Sequence, residues 1–160
     1  MRLSIIFVLV MTLACQGQTQ NSEKPITVAK ETEVVAAVDN IPCNSEVCLQ
    51  LRNHDADSKS FEIFMMNAVP IAGFQCDFPG INIIGSDGGL LKENGYQTSN
   101  SAFRLLSFSM QAKLIPVGEG VLTKIYYSNP TKEVCMTEII FAGIGGAKLS
   151  NNVPECLKLN

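Results

Sequence analysis

The sequence predicts an all-β fold, a two-sheet antiparallel β-sandwich of about seven to nine strands. Three observations carry that expectation. Apolar and polar residues alternate at period two through many short runs. Clusters of Gly, Pro, Asn, Asp and Ser separate those runs at regular spacing. Twelve Gly and seven Pro in 160 residues, with many β-branched side chains, suit strands and tight turns better than long helices.

The elements follow in order. Val47 to Asn53 sets Val47, Leu49 and Leu51 on one face and Cys48, Gln50 and Arg52 on the other. His54 to Lys59 is a polar turn, and Ser60 to Met66 completes a hairpin. Ile71 to Phe78 brings Phe74, Cys76 and Phe78 to one side and closes at Pro79-Gly80. Ile81 to Ile84 is short and β-branched, ended by Gly85 to Gly89. Leu90 to Asn94 has room for one helical turn. Phe103 to Met110 alternates Leu106, Phe108 and Met110 against Ser107 and Ser109, so the apolar set is expected inside. Pro116 to Gly120 reads as a turn. Val121 to Tyr127 and Val134 to Phe141 are the strongest strands, and Ala147 to Leu159 can hold a last one.

The N-terminus sets the compartment. Arg2 precedes an uncharged apolar run, Ile5 to Met11, too short to span a bilayer and right for a signal-peptide core. Thr12-Leu13-Ala14 places small residues before Cys15 and resembles the lipobox of bacterial lipoproteins, in which the cysteine is acylated. The expected organisation is a signal peptide at 1–14, a flexible tether at 15–33 and a β-sandwich domain at 34–160. Residues 16–33 are polar and cannot bury enough apolar surface to offset their ordering entropy. The expected location is an outer-membrane or cell-surface lipoprotein, the alternative a secreted chain cleaved a few residues later. Without the leader, the 12 basic residues lose Arg2 and leave 11 against 15 acidic ones, a formal charge of −4. No basic cluster occurs, which argues against a nucleic-acid partner. Contact with a membrane is expected only through a lipid on Cys15.

Six cysteines in an exported chain suggest disulfides. Cys135 opens one late strand and Cys156 lies near the last, so a bridge between them is expected to staple the C-terminal edge. By the chain-entropy account such a loop contributes about 3 kcal/mol. Cys43 and Cys48 are close enough in sequence to close a small loop. Cys76, between Phe74 and Phe78, is expected to be a buried free thiol.

The residues of chemistry are sparse. His54 is the single histidine, and no CxxC pair or nucleophile elbow accompanies it. Gly143 to Gly146 lacks the following helix that a phosphate loop needs. Asp55-Ala56-Asp57-Ser58 has alternating oxygens but neither the central Gly nor the closing Glu of a calcium loop. No metal and no cofactor are expected, and the chain is expected not to be an enzyme.

Two stretches carry a family resemblance. Phe61 to Phe78, with Pro70-Ile71-Ala72-Gly73-Phe74-Gln75-Cys76-Asp77-Phe78 at its end, resembles the second strand pair of cohesin-like domains. Leu105 to Met110 followed by Gly118 to Ile125 resembles a later strand pair of the same family. The resemblance spans most of residues 46–141. It implies a jelly-roll sandwich related to carbohydrate-binding modules, acting by protein docking or polysaccharide attachment and not by chemistry. The chain departs from cellulosomal cohesins in its extra cysteines and in Cys76 where an aromatic is usual.

The resulting expectation is an extracellular docking or adhesion module, with a carbohydrate-binding module as the alternative and a small hydrolase behind both. The absence of Trp and the presence of only three Tyr weaken a stacking platform for sugars. Alternation alone assigns Ser107, Ser109, Lys124 and Tyr126 to the binding face, on the strands Phe103–Met110 and Val121–Tyr127.

Overall fold

The computed structural model describes residues 43–129 and 131–159. The expected leader, the tether, Cys15 and the apolar run at 34–38 lie outside the described residues. The strands are β1 (Val47–Asp55), β2 (Ser60–Asn67), β3 (Gly73–Asp77), β4 (Asn82–Asp87), β5 (Gln97–Asn100), β6 (Arg104–Phe108), β7 (Gly118–Ser128), β8 (Glu133–Val134), β9 (Thr137–Ala142), β10 (Lys148–Leu149) and β11 (Leu157–Lys158). One short helix, α1 (Gly89–Glu93), and a 3-10 turn at Ile144–Gly146 complete the described elements.

Two sheets form the sandwich. One has the order β1-β2-β7-β4, the other β10-β9-β3-β6-β5, and β8 pairs separately with β11. Every strand pairing is antiparallel. The chain changes sheet between β2 and β3, β3 and β4, β4 and β5, and again between β6 and β7. Local alternation therefore serves a non-local fold: each strand sends one face to the common core and the other to solvent.

The core lies between the sheets. β1 and β2 contribute Leu49, Leu51, Phe61, Ile63 and Met65, β7 contributes Leu122, Ile125 and Tyr127, and the opposing sheet contributes Phe74, Cys76, Leu105 and Phe141. Phe74 stacks on Phe141 with ring centroids 4.7 Å apart, and Phe61 meets Phe78 edge-on at 5.4 Å. Such pairs contribute about 1 kcal/mol each beyond the area they bury. At the outer edge of β1, the Asn152 side chain acts as a peptide surrogate: its Oδ1 accepts from Leu49 N–H at 2.7 Å and its Nδ2 donates to Leu49 C=O at 3.0 Å. That pairing blunts an edge strand that would otherwise invite another chain.

Two disulfides join Cys43 to Cys48 and Cys135 to Cys156, and Cys76 is a buried free thiol whose pKa burial pushes well up. The second bridge sits beside the β8–β11 pair, where Val134 is opposite Leu157.

Four details differ from the sequence reading. β5 was not anticipated, because Gln97-Thr98-Ser99-Asn100 has no apolar alternation to announce it. Gly118 to Gly120 belong to β7 and pair with Met65 to Asn67 instead of forming a turn. Val134 to Phe141 splits into β8 and β9, which join different sheets. β4 runs on to Asp87, through residues expected to end it. The helical turn near Leu90 is α1, and it packs so closely on β7 that a Cβ on Gly89, at φ +65°, would collide with the Val121 carbonyl.

Candidate binding face

The centre of the β10-β9-β3-β6-β5 sheet, where β6, β3 and β9 lie side by side, presents apolar side chains on its outer face. Its register follows from β3, where Gly73 lies between Phe108 of β6 and Ala142 of β9, and Gln75 between Leu106 and Ile140. Since Phe74 and Cys76 point into the core, Gly73 and Gln75 point outward, and their cross-strand partners do the same. Leu106 and Phe108 are each 40% exposed and Ile140 41%. Met110 and Ile144, just beyond the ends of β6 and β9, are 73% and 66% exposed.

The shape follows from residue size. β6 and β9 flank β3 at one strand spacing each, so their outward columns stand about 10 Å apart. Between them Gly73 offers no side chain. The result is a trough with Gly73 and Gln75 as floor, Leu106 and Phe108 on one wall, and Ile140 and Ala142 on the other. The depression holds about 180 Å³, less than the roughly 300–1,000 Å³ that encloses a small ligand.

A charged pair closes one end. Arg104 donates through Nε to Asp77 Oδ1 at 2.6 Å and through Nη2 to Asp77 Oδ2 at 2.7 Å. These bonds hold the Asp77 carboxyl below its ordinary range and raise the Arg104 guanidinium above its own. The bidentate geometry fixes both side chains.

The four residues expected on the binding face are not brought together. Ser107 is fully buried, its Oγ 3.1 Å from Thr98 Oγ1. Ser109 lies past β6, where its Oγ accepts from Gln111 and Lys113 N–H in a turn. Lys124 and Tyr126 are on β7, in the other sheet. No one face can carry both strands, so the expected face is corrected, and with it the expectation that Phe108 is buried. Period two divides β6 into two sets without saying which is inside. The available signal was Arg104, which shares its alternate set with Leu106 and Phe108. A guanidinium faces the core only when a partner waits there, so that set points outward.

His54 lies at the end of β1 with Nε2 2.9 Å from the hydroxyl of buried Tyr127. Among the described residues no three His, Cys, Asp or Glu side chains are grouped to hold a metal ion.

Fold and face together define a two-sheet β-sandwich with an uncovered apolar sheet surface. No family model and no curated protein matches the chain. Two solved structures are similar. A CaDoc0917–CaCohA2 complex crystallised at pH 5.5 has a TM-score of 0.46 at 12% identity, covering 69% of this chain and 95% of that one. A non-cellulosomal cohesin from the hyperthermophilic archaeon Archaeoglobus fulgidus has a TM-score of 0.47 at 8% identity, covering 70% and 87%.

Proposed function

We propose that this protein is a non-enzymatic docking module that holds another protein on the outer face of the β10-β9-β3-β6-β5 sheet. One observation carries the reading: Leu106, Phe108 and Ile140 stand exposed side by side across a floor of Gly73 and Gln75. Contiguous apolar surface of this kind on a soluble sheet marks an interaction site. The trough is too shallow to enclose a small molecule, which favours a macromolecule. Protein is favoured over polysaccharide because the chain has no Trp, Tyr96 and Tyr127 are buried, and Phe108 is the one exposed ring on the walls of the trough, short of a row for sugar stacking. The cohesin-like motifs at 61–78 and 105–125 support the same function by analogy.

The module is proposed to work outside the cytoplasm. The leader-like residues 1–14 and the two disulfides support an oxidising compartment. A lipid on Cys15 would hold the domain at a membrane through residues 16–33. Cys15→Ala is expected to move the protein from the detergent phase to the aqueous phase, or to block its maturation; unchanged partition defeats the anchor.

The docking test compares retention of proteins from a surface extract on wild type, on Leu106→Ser/Phe108→Ser and on Lys124→Ala/Tyr126→Ala, beside a glycan array. Specific protein should be retained by the first and third but not the second. Equal retention by all three, or binding to glycans alone, overturns the proposal.

A further inference from the structure

The rim of the trough is irregular at one residue. Pairing between β3 and β9 puts Gln75 opposite Ile140 and Asp77 opposite Thr137, so three steps along β9 meet two along β3. That is a β-bulge, and Glu138 sits in it with φ 46°. Glycine adopts this left-handed conformation freely, whereas a residue with a side chain does so at a cost. Bulges of this kind re-aim a side chain beside a site, and Glu138 is exposed.

No ion pair among the described residues takes its carboxylate, although its charge helps to raise the pKa of the Arg104 guanidinium. The ion pairs among the described residues are Arg52–Glu62, Lys92–Asp87 and Arg104–Asp77. Arg104, which feels the Glu138 charge, gives its Nε and one Nη2 hydrogen bond to Asp77. This end of the face therefore holds two carboxylates against one guanidinium. The adjoining walls are Leu106 and Ile140, which carry no charge.

Building on the docking reading, we infer that the partner segment seated in the trough carries a lysine or arginine beside its apolar side chains, and that Glu138 receives it. The apolar walls supply affinity, and the single acidic rim residue sets the register in which the segment lies. A glycine there would relieve the strain and lose the carboxylate.

A phage-displayed library of random peptides, selected on the immobilised full chain, tests this. Wild type should enrich sequences that join apolar residues to a Lys or Arg. Glu138→Gln should keep the apolar preference and lose the basic one, and Glu138→Lys should select Asp or Glu instead. A selected Lys-bearing peptide should bind Glu138→Gln about fivefold more weakly than wild type at low salt, with the gap closing as salt rises. Glu138→Gly should raise Tm yet bind that peptide as weakly as Glu138→Gln does. Apolar peptides without basic enrichment on wild type, or enrichment that survives Glu138→Gln, overturn the inference and leave the docking reading standing. If wild type selects nothing that Leu106→Ser/Phe108→Ser fails to select, the docking reading falls and the inference falls with it.

Discussion

The two outer faces of this sandwich solve the same problem in opposite ways. On the β1-β2-β7-β4 sheet, long polar side chains cover Phe64 and Tyr126, while Ile84 of β4 stays 62% exposed. The Arg52 guanidinium carbon lies 3.8 Å from the Phe64 ring centroid, Arg52 Nε is 3.7 Å from Glu62 Oε2, and Lys124 Nζ is 5.9 Å from the Tyr126 ring. The cations lie over the rings and their aliphatic stems cover Phe64 and Tyr126, although Arg52 Nε makes no hydrogen bond. On the β10-β9-β3-β6-β5 sheet the walls of the trough have no such cover, and the cation at its end is bound to Asp77. A face already covered by its own side chains gains little from a partner, whereas an uncovered one gains the burial of its apolar walls.

The largest effect should come from removing those walls. Leu106→Ser/Phe108→Ser is expected to weaken partner binding about 100-fold or more, as loss of central apolar contacts does in other interfaces. Tm should hardly change, because neither side chain belongs to the core. A large fall in Tm with binding preserved would mean that these residues serve the fold.

Filling the floor gives a sharper contrast. A Cβ on Gly73 would lie 3.7 Å from Ala142 Cβ and 3.7 Å from the Ser107 carbonyl oxygen, both ordinary contacts. Gly73→Val should therefore fold normally, with a Tm equal to or slightly above that of wild type, since losing a glycine restricts the unfolded chain. Its isopropyl group would occupy the trough and reduce partner binding about tenfold, a cost of the size that overpacking a fitted contact carries. Binding as tight as wild type would show that no partner reaches the floor.

The sequence made the fold legible where period two coincided with a buried face. Val47, Leu49 and Leu51, and again Phe74 and Cys76, announce their strands and their inward direction together. β6 was legible as a strand but not in direction. Its more apolar set, Leu106 and Phe108, faces outward and is the set proposed to bind, and a binding face breaks the rule that apolar means inside. β5 was invisible because an exposed polar edge strand has no alternation to show. The pairing that builds the trough, β3 between β6 and β9, joins segments separated by the whole of β7. No local pattern encodes it.

The Asp77–Arg104 pair should make part of the stability depend on acid. Arg104 depresses the folded-state pKa of Asp77. The pair therefore contributes fully above the ordinary carboxylate value of about 3.9, and the contribution fades as pH falls through the lower folded value. Tm measured for wild type and Asp77→Asn should differ by a constant amount at neutral and mildly acidic pH. The two curves should converge below about pH 4. A gap that persists at about pH 2 would show that Asp77 acts through shape and not through its charge.

The smallest effect should come from the covered face. Lys124 and Tyr126 pair across an exposed strand surface, and interactions of that kind contribute about 0.5–1 kcal/mol. Lys124→Ala/Tyr126→Ala is therefore expected to lower Tm by no more than a few degrees. It should leave partner binding within about twofold of wild type, because substitutions away from an interface change its affinity little. The variant is informative because alternation along β7 places both residues on an exposed face just as convincingly as it places any residue of β6. If their removal abolishes binding while Leu106→Ser/Phe108→Ser does not, the partner sits on the β1-β2-β7-β4 sheet. Uncovered apolar surface would then not mark the partner's site, and the covering contacts of Arg52 and Lys124 would have to open when the partner binds.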